Sequence, residues 1–267
     1  MTQPSGRLRD KVCAITGATG IAEATALRFA REGAALFVVS NSASDCAALG
    51  EAIVEDVGPD VPYAWAEADL SDERSAVEAF RRCRERYDRL DALVGAAGGS
   101  GRRLGDGPLH ATALDAWNAT LALNLTTAFL SSREAVRLML DQHPSGGSVV
   151  YISSIAATHP VAGTFNTLAY AAAKGAINSL VVNGACHYGA DGVRFNAIAP
   201  ALTITPMSTR AASDPETLEI VKARMPISGG GPLSADDHAH AAVFLCSDES
   251  SQVTGQVLRV DGGWGVN

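Results

Sequence analysis

The sequence has few of the residues that mark metal-binding, membrane-spanning or nucleic-acid-binding proteins. Its five cysteines are odd in number, and no two have the C-x-x-C spacing of zinc or redox sites. No segment approaches the 18 apolar residues of a membrane helix, and the polar Met1–Lys11 segment has no apolar signal region. The net charge of −8 argues against nucleic acid or an anionic membrane as the main partner. We therefore expect a cytoplasmic protein with reduced thiols and no metal site.

Hydrophobic residues, by contrast, make up 47% of the 267 residues, enough for a large core. Short apolar runs alternate with helical segments. The predicted strands are Val12–Thr16, Ala35–Ser40, Tyr63–Glu67, Ala92–Gly95, Ser148–Ile152, Val193–Ile198 and Val257–Val260. The predicted helices are Ile21–Glu32, Asp45–Val57, one starting near Ser71–Glu73, Leu114–Leu140, Ala169–Gly189 and Ala235–Cys246, with an irregular stretch from Pro200 to Pro232. This alternation predicts an α/β fold: one doubly wound, mostly parallel sheet of about seven strands with helices on both faces, in a single domain, residues 1–267.

One helical segment places a phenol beside an ammonium group. Tyr170 and Lys174 stand four apart in an alanine-rich run, so they share one face of the predicted helix. A nearby positive charge favours the phenolate, which makes Tyr170 a plausible general acid/base for a hydroxyl or carbonyl group. The alternative is a surface tyrosine beside a solvated lysine, and the surrounding motifs decide between the two.

Those motifs follow the predicted strands, and ligands of parallel sheets bind at the carboxyl ends of strands. The run Thr16–Ile21 contains two glycines and opens a helix, an arrangement that lets backbone N–H groups approach a pyrophosphate. Ser153 and Ser154 follow the fifth strand. Asn124 lies in the middle of the long helix, where a poor helix former indicates a specific role rather than an ordinary helix amide.

Taken together, the motifs resemble the short-chain dehydrogenase/reductase family in its single-domain branch, which includes 3-oxoacyl reductases, over essentially the whole chain. The resemblance is carried by Thr16-Gly17…Gly20-Ile21, Asp69-Leu70, Ala97-Gly98, Asn124, Ile152-Ser153-Ser154, Tyr170-x-x-x-Lys174, Arg194-x-Asn196-Ala197-Ile198-Ala199-Pro200 and Thr254-Gly255-Gln256…Val260-Asp261-Gly262-Gly263. It implies a Rossmann-like fold and hydride transfer between a nicotinamide cofactor and a ketone or secondary alcohol.

The resemblance also implies a role for each catalytic residue. Tyr170 is expected to exchange a proton with the substrate oxygen, and Ser154, rather than Ser153, to orient that oxygen. Lys174 is expected to hold the nicotinamide ribose and to lower the pKa of the phenol, and Asn124 to place a water behind the lysine. The implied cofactor contacts are Gly17, Thr19, Gly20, Ile21, Ser40, Asn41, Ser42, Asp69, Leu70, Gly95, Ala97, Gly98, Tyr170, Lys174, Pro200, Thr203 and Thr205.

Three motifs depart from the family pattern. The glycine turn is usually T-G-x-x-x-G-x-G, but here Gly17 and Gly20 are only three apart, with Ala22 at the last glycine position and Glu23 after it. The usual Asn-Asn-Ala-Gly reads Gly95-Ala96-Ala97-Gly98, and Pro-Gly reads Pro200-Ala201. Because the short turn removes or moves one phosphate donor and Glu23 adds negative charge, we expect weaker cofactor binding than in relatives with the full turn.

Cofactor choice depends on the end of the second strand, where NAD-selective proteins carry a carboxylate. This chain has Ser40, Asn41 and Ser42 there, with no acid to repel a 2′-phosphate and no arginine or lysine to bind it. We therefore expect a modest preference for NADP(H), with NAD(H) as the alternative.

The substrate side of the site is less defined by the sequence. Residues 202–232 are expected to form a substrate lid. Arg102 and Arg103 lie in a glycine-rich loop that should border the active-site mouth, where they contact either an anionic substrate or solvent. The family implies a homotetramer or, less often, a homodimer. The competing hypothesis is a catalytically weak member of the fold that binds a ligand or partner; the altered glycine turn favours it, and the four catalytic residues oppose it.

Overall fold

The computed structural model describes residues 6–162 and 165–267, and a single sheet runs through them. Its strands are β1 Val12–Thr16, β2 Ala35–Ser40, β3 Tyr63–Glu67, β4 Ala92–Gly95, β5 Gly147–Ile152, β6 Val193–Pro200 and β7 Gln256–Val260. All neighbours pair in parallel, in the order β3-β2-β1-β4-β5-β6-β7. The predicted α/β fold with a doubly wound parallel sheet of seven strands is confirmed.

Helices cover both faces of the sheet. They are α1 Ile21–Arg31, α2 Ala43–Asp56, α3 Glu73–Tyr87, α4 Leu114–Leu121, α5 Thr127–Asp141, α6 Leu168–Tyr188, α7 Thr209–Ala212, α8 Pro215–Arg224 and α9 Ala235–Cys246. Residues of α3, α5 and α6 are buried in the core on one face. Residues of α1, α2 and α9 are buried in the core on the other. The continuous apolar strands seen in the sequence are explained by this burial on both sides.

Two of the predicted helices differ from the structure by more than one residue. Helix α2 begins at Ala43 rather than Asp45, because the Ser42 hydroxyl accepts a hydrogen bond from the Asp45 backbone N–H at 3.2 Å and so caps the helix earlier. The single helix predicted over Leu114–Leu140 contains a π-helical segment, Ala122–Thr126, between α4 and α5. Such segments frequently occur at functional sites, and this one contains Asn124.

The prediction that Pro200–Pro232 is irregular was wrong, since the segment contains α7 and α8. Helix α8 starts at Pro215 after Asp214, whose carboxylate accepts the Thr217 N–H at 3.0 Å. An Asp-Pro pair is a recognisable helix start, which the proline and glycine content of the region obscured. Val221 of α8 and Met225, directly after the helix, pack with Trp264 in a small third core, which holds the segment against the body of the protein.

The strand order reverses at β1, which lies between β2 and β4. Connections leave in opposite directions there, so a crevice forms at the carboxyl ends of these strands. The Thr16 hydroxyl, at the end of β1, accepts hydrogen bonds from the backbone N–H groups of Ala96 and Ala97, both at 3.0 Å. These bonds fix the segment after β4 beside the glycine turn.

None of the helices in the described residues combines the length and apolar character needed to cross a bilayer.

Candidate active site

Tyr170 and Lys174 lie on α6, one turn apart, as predicted. The Lys174 Nζ atom is 5.6 Å from the centroid of the Tyr170 ring. It donates a hydrogen bond to the backbone oxygen of Ile152, at the end of β5, at 2.6 Å. The lysine is 4% exposed. A solvated surface pair is therefore excluded, and the ammonium group is fixed between α6 and the sheet.

Burial governs the ionisation of both side chains. It lowers the pKa of Lys174 to about 8, because a charged ammonium is disfavoured away from water. Burial also raises the pKa of the Tyr170 hydroxyl, and a hydrogen bond with the Ser154 side chain opposes that rise. Burial is the larger of these two effects on the Tyr170 pKa, and a lowering of that pKa by Lys174 stays a prediction.

The two serines after β5 have different surroundings. Ser154 is buried, hydrogen bonds to the Tyr170 side chain, and also accepts the Ala156 N–H at 3.1 Å. Ser153 donates its hydroxyl proton to Asn178 Oδ1 at 2.6 Å. The structure therefore brings Ser154, and not Ser153, to the phenol, in the pairing expected from the sequence.

Asn124 is fully buried in the π-helical segment. Its amide nitrogen donates to the backbone oxygens of Gly99 and Thr120, both at 2.9 Å, and its oxygen accepts the Gly99 N–H at 3.1 Å. A Cβ atom at Gly98 would lie 2.6 Å from Asn124 Oδ1 and 3.7 Å from Lys174 Nζ. Asn124, Lys174 and the backbone after β4 therefore adjoin, and only glycine fits between them.

A cleft of about 290 Å³ runs along the carboxyl ends of the strands from the glycine turn to Tyr170 and Lys174. Gly17 (φ 90°) and Gly20 (φ 62°) have backbone conformations that favour glycine, and Gly20 directly precedes α1. The N–H groups of the first turn of a helix are suited to a phosphate. Glu23 is half-buried and is not among the residues that line the cleft, so its predicted repulsion of the phosphates has no support here.

Most of the predicted cofactor residues line this cleft. They are Gly17, Thr19, Gly20, Ile21, Ser40, Asn41, Asp69, Leu70, Ala97, Gly98, Tyr170, Lys174 and Thr205. The turn, the strand ends and the residues of the predicted lid are thus brought to one place.

Four predicted cofactor residues do not line the cleft. Ser42 caps α2. Gly95 lies against the Tyr151 ring, which a Cβ atom would approach to 3.2 Å. Pro200 is buried as the last residue of β6, paired with β7. Thr203 is buried, and its hydroxyl lies 2.7 Å from Nε2 of His238, whose pKa burial lowers to about 4. Each of these residues supports the cleft wall instead of facing the cleft.

Sequence reasoning missed other residues of the cleft wall. Asp45, in the first turn of α2, lines the cleft with Ser40 and Asn41. The sequence does indicate an acid at the start of a helix here, because acids often occupy the first turn. That signal does not indicate that the residue lines a cleft. Pro206 and Met207 extend the wall beside Thr205.

No set of three or more His, Cys, Asp or Glu side chains within residues 6–162 and 165–267 is arranged to hold a metal ion.

Known proteins share both this sequence pattern and this geometry. A family model described as Enoyl-(Acyl carrier protein) reductase matches residues 16–265. Momilactone A synthase of Oryza sativa subsp. japonica is 34% identical, with 97% of this chain and 92% of that protein aligned. The chain belongs to the short-chain dehydrogenase/reductase family.

Solved structures agree with this membership. Carveol dehydrogenase from Mycobacterium avium, in complex with NAD, superposes with a TM-score of 0.87 at 28% identity, over 98% of this chain and 100% of that chain. A Beutenbergia cavernae structure described as an NAD(P)-dependent gluconate 5-dehydrogenase, with NADP at low occupancy, gives 0.86 at 31%, over 97% and 98%. Like other short-chain dehydrogenases/reductases, this protein is an NAD(P)-dependent oxidoreductase that transfers hydride between the cofactor and an alcohol or ketone.

Proposed function

We propose that Tyr170 is the acid/base of this short-chain dehydrogenase/reductase, acting on a ketone or secondary alcohol held beside Ser154. The observation that carries the proposal is the placement of a half-buried tyrosine and a buried lysine at one end of the cleft, with Ser154 hydrogen-bonded to the phenol. With its raised pKa the phenol is protonated near neutral pH, so it can donate a proton to a substrate oxygen. Ser154 holds that oxygen by a hydrogen bond.

The cleft fits a nicotinamide dinucleotide. Gly17, Gly20 and the start of α1 would hold the pyrophosphate, and Lys174 would hold the nicotinamide ribose. When bound, such a cofactor supplies or accepts the hydride. Asn124 fixes the backbone of Gly99 by two hydrogen bonds, next to Gly98 and Lys174. We retain the prediction that the short turn binds the cofactor more weakly than the full family turn.

Residues 202–232 are proposed to be the substrate lid. A Cβ atom at Gly20 would lie 3.1 Å from Thr205, so this segment already touches the glycine turn. Two arginines lie near each other: Arg102 in the segment after β4 and Arg210 on α7. Burial lowers the pKa of Arg102, and the nearby positive charge of Arg210 lowers it further. Two adjacent positive charges support a substrate that carries an anionic group.

A substrate panel tests the proposed function. The purified protein is mixed with neutral and carboxylated ketones and secondary alcohols, and nicotinamide absorbance is followed with each cofactor. Turnover of at least one member that disappears in Tyr170→Phe supports the proposal. Cofactor or ligand binding without turnover across the panel favours the alternative, a catalytically weak binding protein of the same fold.

For the cofactor we predict a modest preference for NADP(H), which the Asp45 carboxylate reduces. The wall near Ser40 and Asn41 has small polar groups suited to a 2′-phosphate, but the Asp45 carboxylate opposes that phosphate. Asp45→Asn should therefore raise kcat/KM for NADP(H) relative to NAD(H) about three- to tenfold, the effect of ~1 kcal/mol. Asp56→Asn, at the far end of α2 where Asp56 pairs with Arg31, is the matched control. A wild-type protein clearly more efficient with NAD(H) contradicts the preference, and an unchanged ratio in Asp45→Asn contradicts the role of Asp45.

We also propose a homotetramer or homodimer, packed through residues 114–140, α6 and the 257–264 region. Large apolar side chains in these segments support it: Leu114, Phe129, Leu140, Leu168, Val182 and Leu258 are all exposed. In the sequence, Leu121, Leu125, Phe129 and Ser132 recur at helical spacing, which predicts a stripe on one face of the long helix, but in the structure this stripe does not face outward as a unit. Leu125 packs on the chain's own core and Ser132 is buried, so only Phe129 is exposed.

Light scattering tests the assembly. We expect a mass two or four times the 27.6 kDa of the chain at micromolar concentration. Phe129→Asp with Val182→Asp should shift it toward the monomer, because buried charges at an interface are costly. A stable wild-type monomer would refute the proposal.

A cytoplasmic location is proposed as well, supported by the five free cysteines, of which four are buried.

A further inference from the structure

A buried carboxylate outside the expected catalytic set touches the backbone of Tyr170. Asp106, in the loop after β4, is 5% exposed. One of its oxygens accepts the Ala169 N–H at 3.0 Å, and the other accepts the Tyr170 N–H at 2.9 Å. No family motif in the sequence includes this residue, and it does not line the cleft.

Asp106 replaces the usual local cap of α6. The residue that precedes the helix, Thr167, makes no capping hydrogen bond with its side chain. The first N–H groups of a helix need acceptors, and a carboxylate is favoured there by the helix dipole. Asp106 supplies that acceptor from a position more than 60 residues earlier in the chain. The start of α6, and Tyr170 with it, is therefore held by a tertiary contact rather than by its own sequence.

The loop that carries Asp106 is fixed at both ends to helices of the active site. At one end, the Gly99 N–H donates to the Asn124 side-chain oxygen, and the Gly99 backbone oxygen accepts from the Asn124 side-chain nitrogen. At the other, the Gly107 oxygen accepts the Leu168 N–H at 3.5 Å. Between them, Gly101 has φ 69°, and a Cβ atom there would lie 2.5 Å from Thr120 and 2.9 Å from Asp106. The loop thus spans Asn124 and Tyr170 in a single close-packed arrangement.

We infer that Asp106 is a positioning residue that sets the Tyr170 phenol against Ser154 by holding the first turn of α6. The inference rests on the proposed role of Tyr170. A displacement of about 1 Å at a reacting group is enough to cost on the order of a hundredfold in rate. Loss of the two hydrogen bonds frees the turn that carries the phenol, whereas Lys174 lies a full turn further along and keeps its bond to Ile152.

The experiment compares Asp106→Ala and Asp106→Asn with the full-length wild-type protein. In Asp106→Ala we expect kcat to fall about ten- to a hundredfold, with KM for substrate and the cofactor Kd within about twofold of wild type. In the cofactor-free protein, hydrogen exchange should speed up in peptides that begin at α6 and stay unchanged in peptides from its other end. Asp106→Asn should lie between, because one amide oxygen accepts from only one of the two N–H groups.

Asp91→Ala is the matched control. Asp91 is also a carboxylate that accepts a backbone N–H, from Val12 at 2.8 Å, but it lies at the opposite edge of the sheet, where β1 and β4 begin. The Asp91→Ala variant should be less stable than the wild type, but its kcat and its hydrogen exchange at the start of α6 should be unchanged. A fall in kcat in Asp91→Ala equal to that in Asp106→Ala would mean that lost stability alone explains the effect, and would overturn the inference.

Two further results also overturn it. One is unchanged kcat in both Asp106 variants; the other is unchanged hydrogen exchange at the start of α6. If Asp106→Ala does not fold, Asp106→Asn provides the same two measurements. Tyr170→Phe separates this inference from the proposed function. Activity retained in Tyr170→Phe refutes the role of Tyr170 itself, whereas loss there with unchanged kcat in both Asp106 variants refutes only the role of Asp106.

Discussion

Tyr170→Phe should reduce turnover by at least ~10²-fold, the usual scale for loss of a positioned proton donor. The substitution removes one oxygen from a side chain whose ring remains packed on α6, so the fold and the cofactor affinity should be retained. Substrate KM should change little by comparison, because Ser154 still reaches the substrate oxygen. Steady-state kinetics with a substrate from the panel, together with cofactor titration, measure both quantities.

The matched control is Tyr188→Phe, at the other end of α6, where Tyr188 stacks on Phe195 at 5.7 Å between ring centroids. It should leave kcat unchanged. Turnover near wild type in Tyr170→Phe would remove the tyrosine from the mechanism.

The raised pKa of Tyr170 also sets opposite pH profiles for the two directions of the reaction. Reduction needs the phenol and oxidation needs the phenolate. As pH rises through the pKa of Tyr170, which burial places above its ordinary value, reduction should slow and oxidation should accelerate. These pH-dependent changes should be absent from the residual activity of Tyr170→Phe, and their persistence there would assign them to another group.

Lys174→Met should abolish most of the activity and yet stabilise the cofactor-free protein at pH 7. The buried ammonium has a pKa of about 8, against 10.5 in the unfolded chain. Below pH 8 both states carry the proton, so the native state bears the full cost of a desolvated charge. Methionine removes that cost, up to ~3 kcal/mol, but it leaves the Ile152 carbonyl without its donor. We expect a net gain of about 1 kcal/mol in the free energy of unfolding.

The pH dependence checks this assignment independently of the lost hydrogen bond. Between pH 8 and 10.5 the unfolded wild-type chain binds more protons than the native state, so wild-type stability rises with pH relative to the variant. The advantage of Lys174→Met should therefore shrink over this interval. Denaturant unfolding at both pH values measures it, with Lys222→Met, an exposed lysine on α8, as the control. A variant advantage that is constant with pH would show that Lys174 is not the group responsible.

Most of the fold could be predicted because it depends on local pattern. Continuous apolar strands fixed β1 to β4 at their observed bounds, and the capping sequence Ser234–Asp237 fixed the start of α9. The π-helical segment around Asn124 could not be predicted, since the buried Asn124 amide is hydrogen-bonded to a loop 25 residues earlier, a contact that local pattern does not reveal. Helices α7 and α8 were missed because turn-forming residues outweighed the Asp214-Pro215 start signal.

The residues of the active site also differ in how far the sequence predicts them. Tyr170 and Lys174 could be paired from helical spacing alone, and motif order indicated Ser154 and Asn124. Asp106 had no such signal, because it contacts the start of α6 from more than 60 residues earlier in the chain. Asp45 had only the signal of a helix start, which does not indicate that it lines the cleft. The effect of burial on the Tyr170 pKa could not be predicted, since spacing reveals a neighbouring charge but not the loss of water around the phenol.

The cleft lies where the two halves of the sheet meet, with β1 to β3 on one side and β4 to β7 on the other. A ligand in this cleft binds the folded protein but not the unfolded chain, in which the cleft does not exist. At a concentration 100 times its Kd it adds ~2.7 kcal/mol to the free energy of unfolding. A bound nicotinamide dinucleotide should therefore also lower the fraction of chains that unfold and become accessible to proteases.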